Sequence, residues 1–272
     1  MIPFGMASLV ELERYLAQLG SAVLGYSGGV DSALLAAAGT RALGAERFLA
    51  VIGRSASYPA VQYRQAVALA RQFGVPLLEL DTHELDDPRY RANATDRCYF
   101  CKHELWTELG EVATTRGFVH VLDGTNADDT TEHRPGMRAA AEHAVLSPLA
   151  ELGWRKADVR AAAKSLGIPS WDAPASPCLA SRLRYGVAVT PERLAQVEAA
   201  ERGLRALGVR GNLRVRHLGQ GASVEVDPPE IPRLQARWAE AEQVVLAAGF
   251  PRVSLDPHGY RRGALLALAD SA

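Results

Sequence analysis

The alternation of short apolar runs with helix-length segments constrains the fold of this chain more than any other feature. Helical spacing of apolar residues extends over residues 8–19, and an apolar run at 21–24 follows it and ends in glycine. Helix-length segments and apolar runs then continue to alternate at 31–43, 47–53, 60–73, 77–80 and 118–122. Strands that alternate with helices are joined by right-handed crossovers into a parallel sheet. We therefore predict an α/β fold with a doubly wound parallel sheet that is covered on both faces.

The residues after about 185 show a different pattern, in which short strand-like runs lie between longer helical segments. We predict helices and strands that are typical of a small α+β domain, at 191–207, 212–218, 223–226, 231–248 and 252–255. The segment 171–184 carries several prolines and serines and predicts a linker. A chain of 272 residues is long enough for two domains. We therefore predict a first domain at 1–184 and a second at 185–272.

The composition is that of an ordinary globular protein. Apolar residues make up 48% and charged residues 22%, with 30 Lys and Arg against 31 Asp and Glu. A net charge of −1 gives no general attraction to a polyanion, so we expect no nucleic-acid partner. The N-terminus lacks the basic start and apolar run of a signal peptide, and no apolar stretch reaches membrane-spanning length. We expect a cytoplasmic protein with no membrane partner.

The strongest local motif is the hexapeptide SGGVDS, which lies between a predicted strand and a predicted helix. Its glycines, Gly28 and Gly29, let the backbone approach an anion closely, and the hydroxyls of Ser27 and Ser32 can donate to it. The N-terminus of the following helix adds N–H groups and a favourable dipole. The motif predicts a phosphate site that is not a Walker A loop, because GxxxxGK[ST] is absent. The alternative is a plain turn in which Asp31 and Ser32 cap the helix.

The hexapeptide resembles the PP-loop of the ATP pyrophosphatases, which split ATP between its α and β phosphates. The resemblance implies that ATP binds here and that Asp31 helps to position Mg²⁺ and pyrophosphate. A second motif, GTNADD, follows a later apolar run and is therefore expected at the same C-terminal edge of the sheet, where ligands bind in open α/β folds. Gly124 and Asn126 are nucleotide-binding candidates. Asp128 is either a magnesium ligand or a solvated acid at a helix start.

The chain has three cysteines, Cys98, Cys101 and Cys178, which is an odd number for disulfide pairing. In the reducing compartment expected for this chain, they favour metal or catalytic chemistry over disulfide bridges. The CxxC spacing of the first two is typical of short metal-binding loops, although by itself it is a weak signal.

Five motifs in this order resemble the LarE family: SGGVDS, DRCYFCK, GTNADD, RPGMRAAAEHAVLSPL and PASPCLASR. LarE proteins are sulfur transferases that make the thiocarboxylate groups of the nickel-pincer nucleotide. The resemblance implies that ATP adenylates a small-molecule nucleotide substrate, pyridinium-3,5-dicarboxylate mononucleotide, and that a sulfur nucleophile then displaces AMP. Cys178 matches the family's sulfur-bearing position. The family also implies a homo-oligomer, often a hexamer, whose sulfur comes from sulfide or from a sulfur-donor protein.

The resemblance leaves three interpretations of the cysteines open. In the first, Cys98, Cys101 and Cys178 hold a [4Fe-4S] cluster, and the iron without a protein ligand binds external sulfide. In the second, Cys178 is sacrificial, because it gives its own sulfur to the product and becomes dehydroalanine. In the third, the thiols are inert or hold structural zinc, which would need a fourth ligand such as His103.

The second domain adds charged residues that resemble family positions. Alternation along a strand puts Arg214 and Arg216 on one face, where they could clamp the substrate's phosphate, although two surface arginines would give the same pattern. Arg182 is a further substrate-binding candidate and would favour the thiolate form of a nearby cysteine. Glu201 and Glu225 resemble acidic positions that the family uses near a bound metal.

Other functional classes share parts of this pattern. Some tRNA 2-thiolating enzymes combine a PP-loop with a three-cysteine cluster, but they need a basic surface for RNA, which the balanced charge of this chain does not indicate. Amidating PP-loop enzymes of the NAD synthetase or GMP synthetase kind have no need for three cysteines. A non-enzymatic nucleotide sensor would bind ATP without releasing pyrophosphate.

Overall fold

The computed structural model describes residues 8–131, 135–174 and 176–261, and these fall into two compact units. Unit 1 lies within Met1–Ser55, Ala60–Glu84 and Cys98–Ser176, and unit 2 lies within Ala56–Pro59, Leu85–Arg97 and Pro177–Ala272. The sequence-based domain boundary at 184/185 stays a prediction. Residues 262–272 of the predicted second domain, Arg134 of the fourth family motif and Ala175 of the fifth lie outside the described residues.

Helical segments and strands alternate through the first half of the chain. The helices are α1 (Leu9–Gln18), α2 (Val30–Leu43), α3 (Ala60–Gln72), α4 (Pro88–Arg91), α5 (Arg97–Arg116), α6 (Pro135–Glu142), α7 (Pro148–Glu151), α8 (Lys156–Ser165), α9 (Pro191–Ala206), α10 (Ile231–Ala236) and α11 (Trp238–Ala247). The strands are β1 (Ala22–Gly25), β2 (Phe48–Arg54), β3 (Leu77–Asp81), β4 (His120–Leu122), β5 (Leu213–His217), β6 (Ala222–Val226) and β7 (Val253–Leu255).

The sheet of unit 1 has the order β3-β2-β1-β4, and all of its strand pairs are parallel. The chain therefore proceeds outward from β1 through β2 to β3 and then returns to the other side of β1. This reversal creates a switch point between β1 and β4, and in open α/β sheets ligands bind beyond the carboxyl ends of the strands at such a point. The predicted α/β fold with a parallel sheet is confirmed.

Helices pack against both faces of this sheet. On one face, Trp106 and Leu109 of α5 lie in a buried cluster with Val23 of β1 and Val51 of β2. Trp106 is 2% exposed, and burial of a side chain of that size stabilises a fold by about 2–3 kcal/mol. On the other face, α2 approaches so closely that a Cβ atom at Gly39 would lie 2.2 Å from the ring of Phe48. The central strands of the sheet thus lie between two layers of helices.

Unit 2 contains the sheet β5-β6-β7, in which β5 and β6 are antiparallel and β6 and β7 are parallel. Its register pairs Arg214 with Glu225 across β5 and β6. The predicted single helix at 231–248 is interrupted at Arg237, whose backbone leaves the helical region (φ −118°, ψ 25°). The guanidinium of Arg237 donates to the carbonyl oxygen of Leu207 at 2.8 Å. The apolar spacing of residues 231–248 cannot predict this contact, because it joins two segments that are distant in the sequence.

The sequence predicts no membrane partner. Within the parts of the chain that the structure describes, no helix combines the length and the apolar character that crossing a bilayer would need. The cytoplasmic location stays a prediction.

Candidate active site

The loop between β1 and α2 is built around the two serines of the SGGVDS motif. The hydroxyl oxygen of Ser32 lies 3.2 Å from both the backbone nitrogen and the hydroxyl oxygen of Ser27. The same hydroxyl donates to the carbonyl oxygen of Gly29 at 3.1 Å, and Gly29 directly precedes the first turn of α2. These bonds hold the loop against the N-terminus of a 14-residue helix, where N–H groups and the helix dipole favour an anion.

Gly28 is required by the shape of this loop. Its φ angle of 65° is one that L residues rarely adopt. A Cβ atom at this position would lie 2.4 Å from the Cβ of Ala66 in α3. Helix α3 is joined to the end of β1, because the hydroxyl of Tyr26 donates to the carbonyl oxygen of Ala66 at 2.9 Å. The loop therefore lies directly against α3, and glycine is the residue that fits.

The loop after β4 meets the SGGVDS loop at the switch point. A Cβ atom at Gly124 would lie 3.0 Å from the backbone nitrogen of Ser32, so glycine allows the two loops to touch. The side chain of Asn126 is buried, donates to Oδ1 of Asp31 at 3.1 Å and accepts the backbone N–H of Asp128 at 3.0 Å. The two predicted nucleotide motifs therefore form one site in unit 1.

The donor set at this site fits a magnesium nucleotide. The hydroxyls of Ser27 and Ser32 and the N-terminus of α2 are donors suited to phosphate oxygens. The carboxylates of Asp31 and Asp128 are oxygen ligands of the kind that Mg²⁺ prefers. A bound Mg²⁺ would offset part of the phosphate charge and help to orient the nucleotide. The individual roles of these residues stay predictions.

One charged residue of this site was not found from the sequence. The ammonium group of Lys156 forms an ion pair with Oδ2 of Asp31, and the backbone N–H of Lys156 donates to Oδ2 of Asp128 at 2.8 Å. Lys156 is the first residue of α8. It belongs to none of the motifs described above, and it lies 125 residues from Asp31 in the sequence, so only the fold reveals the pairing.

The CxxC motif lies on a helix and not in a short loop. Cys98 and Cys101 occupy the first turns of α5, where residues three apart share one face. Helix α6 packs closely here, since a Cβ atom at Gly136 would lie 3.0 Å from Cγ of Lys102 and 3.6 Å from the carbonyl oxygen of Cys98. Cys178 belongs to unit 2, where it precedes a 3₁₀ helix at Leu179–Arg182.

The thiols satisfy part of the requirement for a cluster. All three cysteines are free of disulfides, and two of them form an adjacent pair on α5. Across residues 8–131, 135–174 and 176–261, no three His, Cys, Asp or Glu side chains are grouped as ligands for a metal ion. Cys98 and Cys101 belong to unit 1 and Cys178 belongs to unit 2, and the cluster stays a prediction.

His103 is poorly placed to complete a zinc site with the two cysteines of α5. At two residues beyond Cys101, it projects from a different side of the helix, because successive residues turn by about 100°. Its Nδ1 atom lies 3.1 Å from Nε2 of His143, and its ring stacks on Tyr99 with centroids 5.7 Å apart. The structure therefore gives His103 other partners.

The charged candidates of the second domain gather in unit 2 as a largely buried cluster. Arg214 and Arg216 are 5% and 7% exposed, so they are not surface arginines. Arg216 pairs with Glu225 at 2.8 Å, and Arg182 pairs with Glu201 at 3.1 Å. Both glutamates thus have arginine donors as partners. Their role near a metal stays a prediction. It would require the carboxylate oxygens that pair with the arginines to bind the metal as well.

Arg214 is the member of this cluster best suited to an anion. Its guanidinium carbon lies 5.1 Å from the ring centre of Tyr260, and one of its N–H groups donates to the carbonyl oxygen of Leu213 at 2.7 Å. Burial lowers the pKa of Arg214, and the positive charge of Arg182 acts in the same direction. A buried cation beside another cation gains strongly from an incoming phosphate. Tyr260 was not found from the sequence.

The SGGVDS sequence of this loop, at the switch point of a parallel sheet, is typical of a PP-loop ATP pyrophosphatase domain. Residues 8–97 match the family model for NAD synthase. An uncharacterized protein of Synechocystis sp. is 39% identical over 261 residues, which are 95% of this chain and 97% of that protein. Pyridinium-3,5-bisthiocarboxylic acid mononucleotide synthase of Lactiplantibacillus plantarum is 32% identical over 258 residues, which are 95% of this chain and 91% of that enzyme. The chain belongs to the LarE family of ATP-using sulfurtransferases.

Proposed function

We propose that this enzyme activates a carboxylate of pyridinium-3,5-dicarboxylate mononucleotide with ATP and converts it to a thiocarboxylate during nickel-pincer nucleotide biosynthesis. The observation that carries the proposal is the similarity, over 95% of the chain, to an enzyme named for a bisthiocarboxylic product. The joined loops that carry Asp31 and Asn126 support it, because an adenylating enzyme needs a site for the phosphates of ATP.

The first chemical step is adenylation. A carboxylate is a poor electrophile until one of its oxygens becomes part of a good leaving group. An oxygen of the substrate carboxylate attacks the α-phosphorus of ATP, and the bond from that phosphorus to the bridging oxygen breaks. The electron pair leaves with pyrophosphate, next to the N-terminus of α2. The hydroxyls of Ser27 and Ser32 are the donors that would hold the phosphate oxygens at this position.

The second step transfers sulfur. A thiolate or sulfide attacks the activated acyl carbon, and AMP leaves with the original carboxylate oxygen. The proposed sulfur-handling residues are Cys98, Cys101 and Cys178, all of which are free of disulfides. If Cys178 itself is the donor, its Cβ–S bond must then break with loss of the Cα proton, which leaves dehydroalanine. This route consumes the chain once per sulfur.

We favour the route in which the three cysteines hold a [4Fe-4S] cluster and the chain is not consumed. Three thiolates leave one iron open, and that position supplies a site for external sulfide. Structural zinc needs a fourth protein ligand, and the contact of His103 with His143 therefore favours the cluster over zinc. The sulfur donor and the homo-oligomer implied by the family remain part of the proposal.

The proposed nucleotide substrate carries a phosphate as well as carboxylates. The buried guanidinium groups of Arg214 and Arg216 are its proposed partners, with Arg182 beside them. A planar guanidinium matches phosphate oxygens with two parallel hydrogen bonds.

The decisive test of the reaction uses purified protein with ATP, Mg²⁺, sulfide and pyridinium-3,5-dicarboxylate mononucleotide. We expect one pyrophosphate and one AMP per thiocarboxylate, with the product identified by mass spectrometry. Pyrophosphate release that does not depend on this acceptor, or ATP binding without any release, would contradict the proposal. Acceptance of sulfur by tRNA instead would favour the 2-thiolation alternative.

The cluster is tested by iron and acid-labile sulfide analysis of protein prepared without oxygen. We expect about four irons per chain in the wild type, loss of iron in Cys98→Ala and Cys178→Ala, and full retention in Thr107→Ala, an exposed residue of the same helix. Absence of iron, together with an intact mass that falls by one H₂S after turnover, would assign the sulfur to Cys178.

A further inference from the structure

Cys178 lies at the start of a turn whose backbone is held by several hydrogen bonds within unit 2. Its carbonyl oxygen accepts the backbone N–H of Ser181 at 3.0 Å, the hydroxyl of Ser181 at 2.7 Å and an N–H group of Arg182 at 3.0 Å. The next residue, Leu179, donates its backbone N–H to the carbonyl oxygen of Ser57 at 2.7 Å. The thiol of this half-buried cysteine is thus carried by an ordered backbone.

Arg97 holds the same turn through a second set of bonds. The residue is 5% exposed, and its guanidinium donates to the carbonyl oxygen of Ala180 at 2.9 Å and to Oδ1 of Asn93 at 2.5 Å. Arg97, Asn93 and Ala180 all belong to unit 2. A hydrogen bond from an ionised donor is about twice as strong as one between neutral groups. The buried guanidinium therefore attaches the turn firmly.

Asn93 joins Arg97 to the residues that follow the turn. Its side chain is fully buried, and its amide nitrogen donates to the carbonyl oxygens of Arg184 at 2.9 Å and Val187 at 2.8 Å. The backbone carbonyl oxygen of Asn93 accepts the N–H of Gly186 at 3.1 Å. Its φ angle of 54° lies in the left-handed region, which asparagine adopts more readily than most residues. One side chain thus fixes the loop that follows the turn.

The chemistry proposed for Cys178 requires such a fixed backbone. A sulfur nucleophile must lie about 3–3.5 Å from the acyl carbon, and a displacement of about 1 Å costs on the order of 100-fold in rate. A thiolate that holds an iron–sulfur cluster must likewise reach its iron together with the other ligands. Both routes of the proposed function therefore depend on where the turn places Cys178.

We propose that Asn93 and Arg97 are positioning residues for the sulfur step, because they fix the turn that carries Cys178. The proposal rests on the sulfur transfer in the proposed function. Neither side chain exchanges a proton or forms a covalent bond, so the atoms and electrons of that step balance as before. Adenylation uses the nucleotide loops of unit 1 and does not need this turn. Loss of either residue therefore slows thiocarboxylate formation and leaves pyrophosphate release intact when substrate is saturating.

Three variants and one control separate this role from a general loss of stability. Asn93→Gly keeps the left-handed backbone, which glycine adopts without strain, and removes the amide. Arg97→Met removes the charge and its donors, whereas Arg97→Lys keeps the charge and a donor. The control is Arg205→Met, because the guanidinium of Arg205 also donates to two backbone carbonyl oxygens of unit 2, those of Val209 at 2.9 Å and Gly211 at 2.6 Å.

The test is a single-turnover assay of the full chain, with ATP, Mg²⁺, sulfide and pyridinium-3,5-dicarboxylate mononucleotide, and with enzyme in excess. Pyrophosphate and thiocarboxylate are followed separately. We expect Asn93→Gly and Arg97→Met to form thiocarboxylate at least about 30-fold more slowly than the wild type and to release pyrophosphate within about threefold of its rate. Arg97→Lys should recover thiocarboxylate formation to within about fivefold. Arg205→Met should match the wild type for both products.

Amide hydrogen exchange shows whether the turn itself has been released. Exchange over residues 178–187 should be at least about tenfold faster in Asn93→Gly and Arg97→Met than in the wild type, and unchanged in Arg205→Met. Unchanged exchange in Asn93→Gly would overturn the inference whatever the reaction is. If Arg97→Met does not fold, Asn93→Gly and Arg97→Lys decide the question.

Equal rates of thiocarboxylate formation in Asn93→Gly and the wild type would also overturn the inference. So would a parallel loss of pyrophosphate and thiocarboxylate, since that would mean a generally damaged enzyme. A wild type that releases pyrophosphate and forms no thiocarboxylate would overturn the proposed sulfur transfer and this inference together. A failure confined to the variants concerns the positioning role alone.

Discussion

The side-chain amide of Asn126 donates a hydrogen bond to the carboxylate of Asp31 over 3.1 Å, although the two residues are 95 positions apart in sequence. The carbonyl oxygen of the same amide accepts backbone N–H groups of Asp128 at 3.0 Å and Asp129 at 3.3 Å. One buried side chain thus fixes the orientation of the carboxylate that is the predicted magnesium ligand and shapes the loop that carries the second one.

Replacing this donor by an acceptor of the same shape should disable the site. We expect Asn126→Asp to lower kcat/KM for pyrophosphate release by about 100-fold or more. The reason is that two carboxylates would face each other where the amide of Asn126 now donates a hydrogen bond to Asp31. Thr130→Ala, an exposed change in the same loop, should stay within about threefold of the wild type. Steady-state pyrophosphate assays check both values, and near-normal activity of Asn126→Asp would exclude this role.

Gly28 offers a test of the loop geometry itself. A Cβ atom there meets Ala66 at 2.4 Å, whereas one at Gly74, which also has a positive φ, meets nothing within 4 Å. Gly74→Ala should therefore cost only the backbone term of about 1–2 kcal/mol, and Gly28→Ala about 1–3 kcal/mol more because of the clash. Urea unfolding measures both. The double variant Gly28→Ala/Ala66→Gly should regain part of the free energy of unfolding that the clash removes. If it regains none, the contact with Ala66 does not explain the need for glycine at position 28.

The sequence predicted the fold of unit 1 well because its strands are continuous apolar runs between helical segments. It could not predict that β4 lies beside β1, since strand order depends on packing between segments that are distant in the chain. Helix α5 was not among the predicted elements. Its buried face, formed by Trp106, Leu109 and Ala113, follows helical spacing. The CxxC spacing at the start of this segment, however, is equally typical of a short metal-binding loop.

The site was predictable where its residues form motifs. Gly28 and Gly124 could be named because the backbone must come close to another group at each position. Lys156 could not, because one lysine at a helix start carries no local pattern. Tyr260 beside Arg214 is a similar case. In both, the contact joins residues whose proximity arises only after folding.

The buried pair of Arg216 and Glu225 separates a structural role from a binding role. Arg216→Met should destabilise the protein by about 3–5 kcal/mol, because it leaves the charge of Glu225 buried without compensation. Arg216→Met/Glu225→Met should recover most of that loss. Arg233→Met, which breaks an exposed pair with Glu230, should cost only about 0–1 kcal/mol. Urea unfolding gives these values.

The same double variant tests the phosphate clamp. Since it should fold, its affinity for the substrate nucleotide, compared with that of Glu225→Gln, reports on the loss of the Arg216 guanidinium. We expect binding at least about tenfold weaker than in the wild type, measured by calorimetry. Unchanged affinity would leave Arg216 with a structural role only.

His217 should make the stability of the protein depend on pH. This residue is 4% exposed, its Nδ1 accepts the backbone N–H of Gly219 at 3.1 Å, and its Nε2 lies 3.2 Å from Oε1 of Gln196. The neutral ring with its proton on Nε2 satisfies both partners. Burial lowers the pKa of His217, and the positive charge of Arg193 acts in the same direction.

A lowered pKa means that the unfolded chain binds a proton more readily than the folded one. Above the unfolded pKa of about 6.5 both states are neutral at this residue, and the shift has no effect. As the pH falls below that value, the unfolded state takes up the proton first, so the free energy of unfolding decreases until the folded pKa is reached. Each pKa unit between the two states corresponds to about 1.4 kcal/mol.

We therefore expect His217→Gln to have a lower free energy of unfolding than the wild type at about pH 8, because packing against Phe250 (ring centres 5.0 Å apart) is disturbed. Between about pH 8 and about pH 5, the free energy of unfolding should decrease less in His217→Gln than in the wild type. His258→Gln, at an exposed position of the same unit, should keep the wild-type pH dependence. Urea unfolding at the two pH values measures the difference. If the wild type and His217→Gln lose stability in parallel, the acid sensitivity arises elsewhere in the protein.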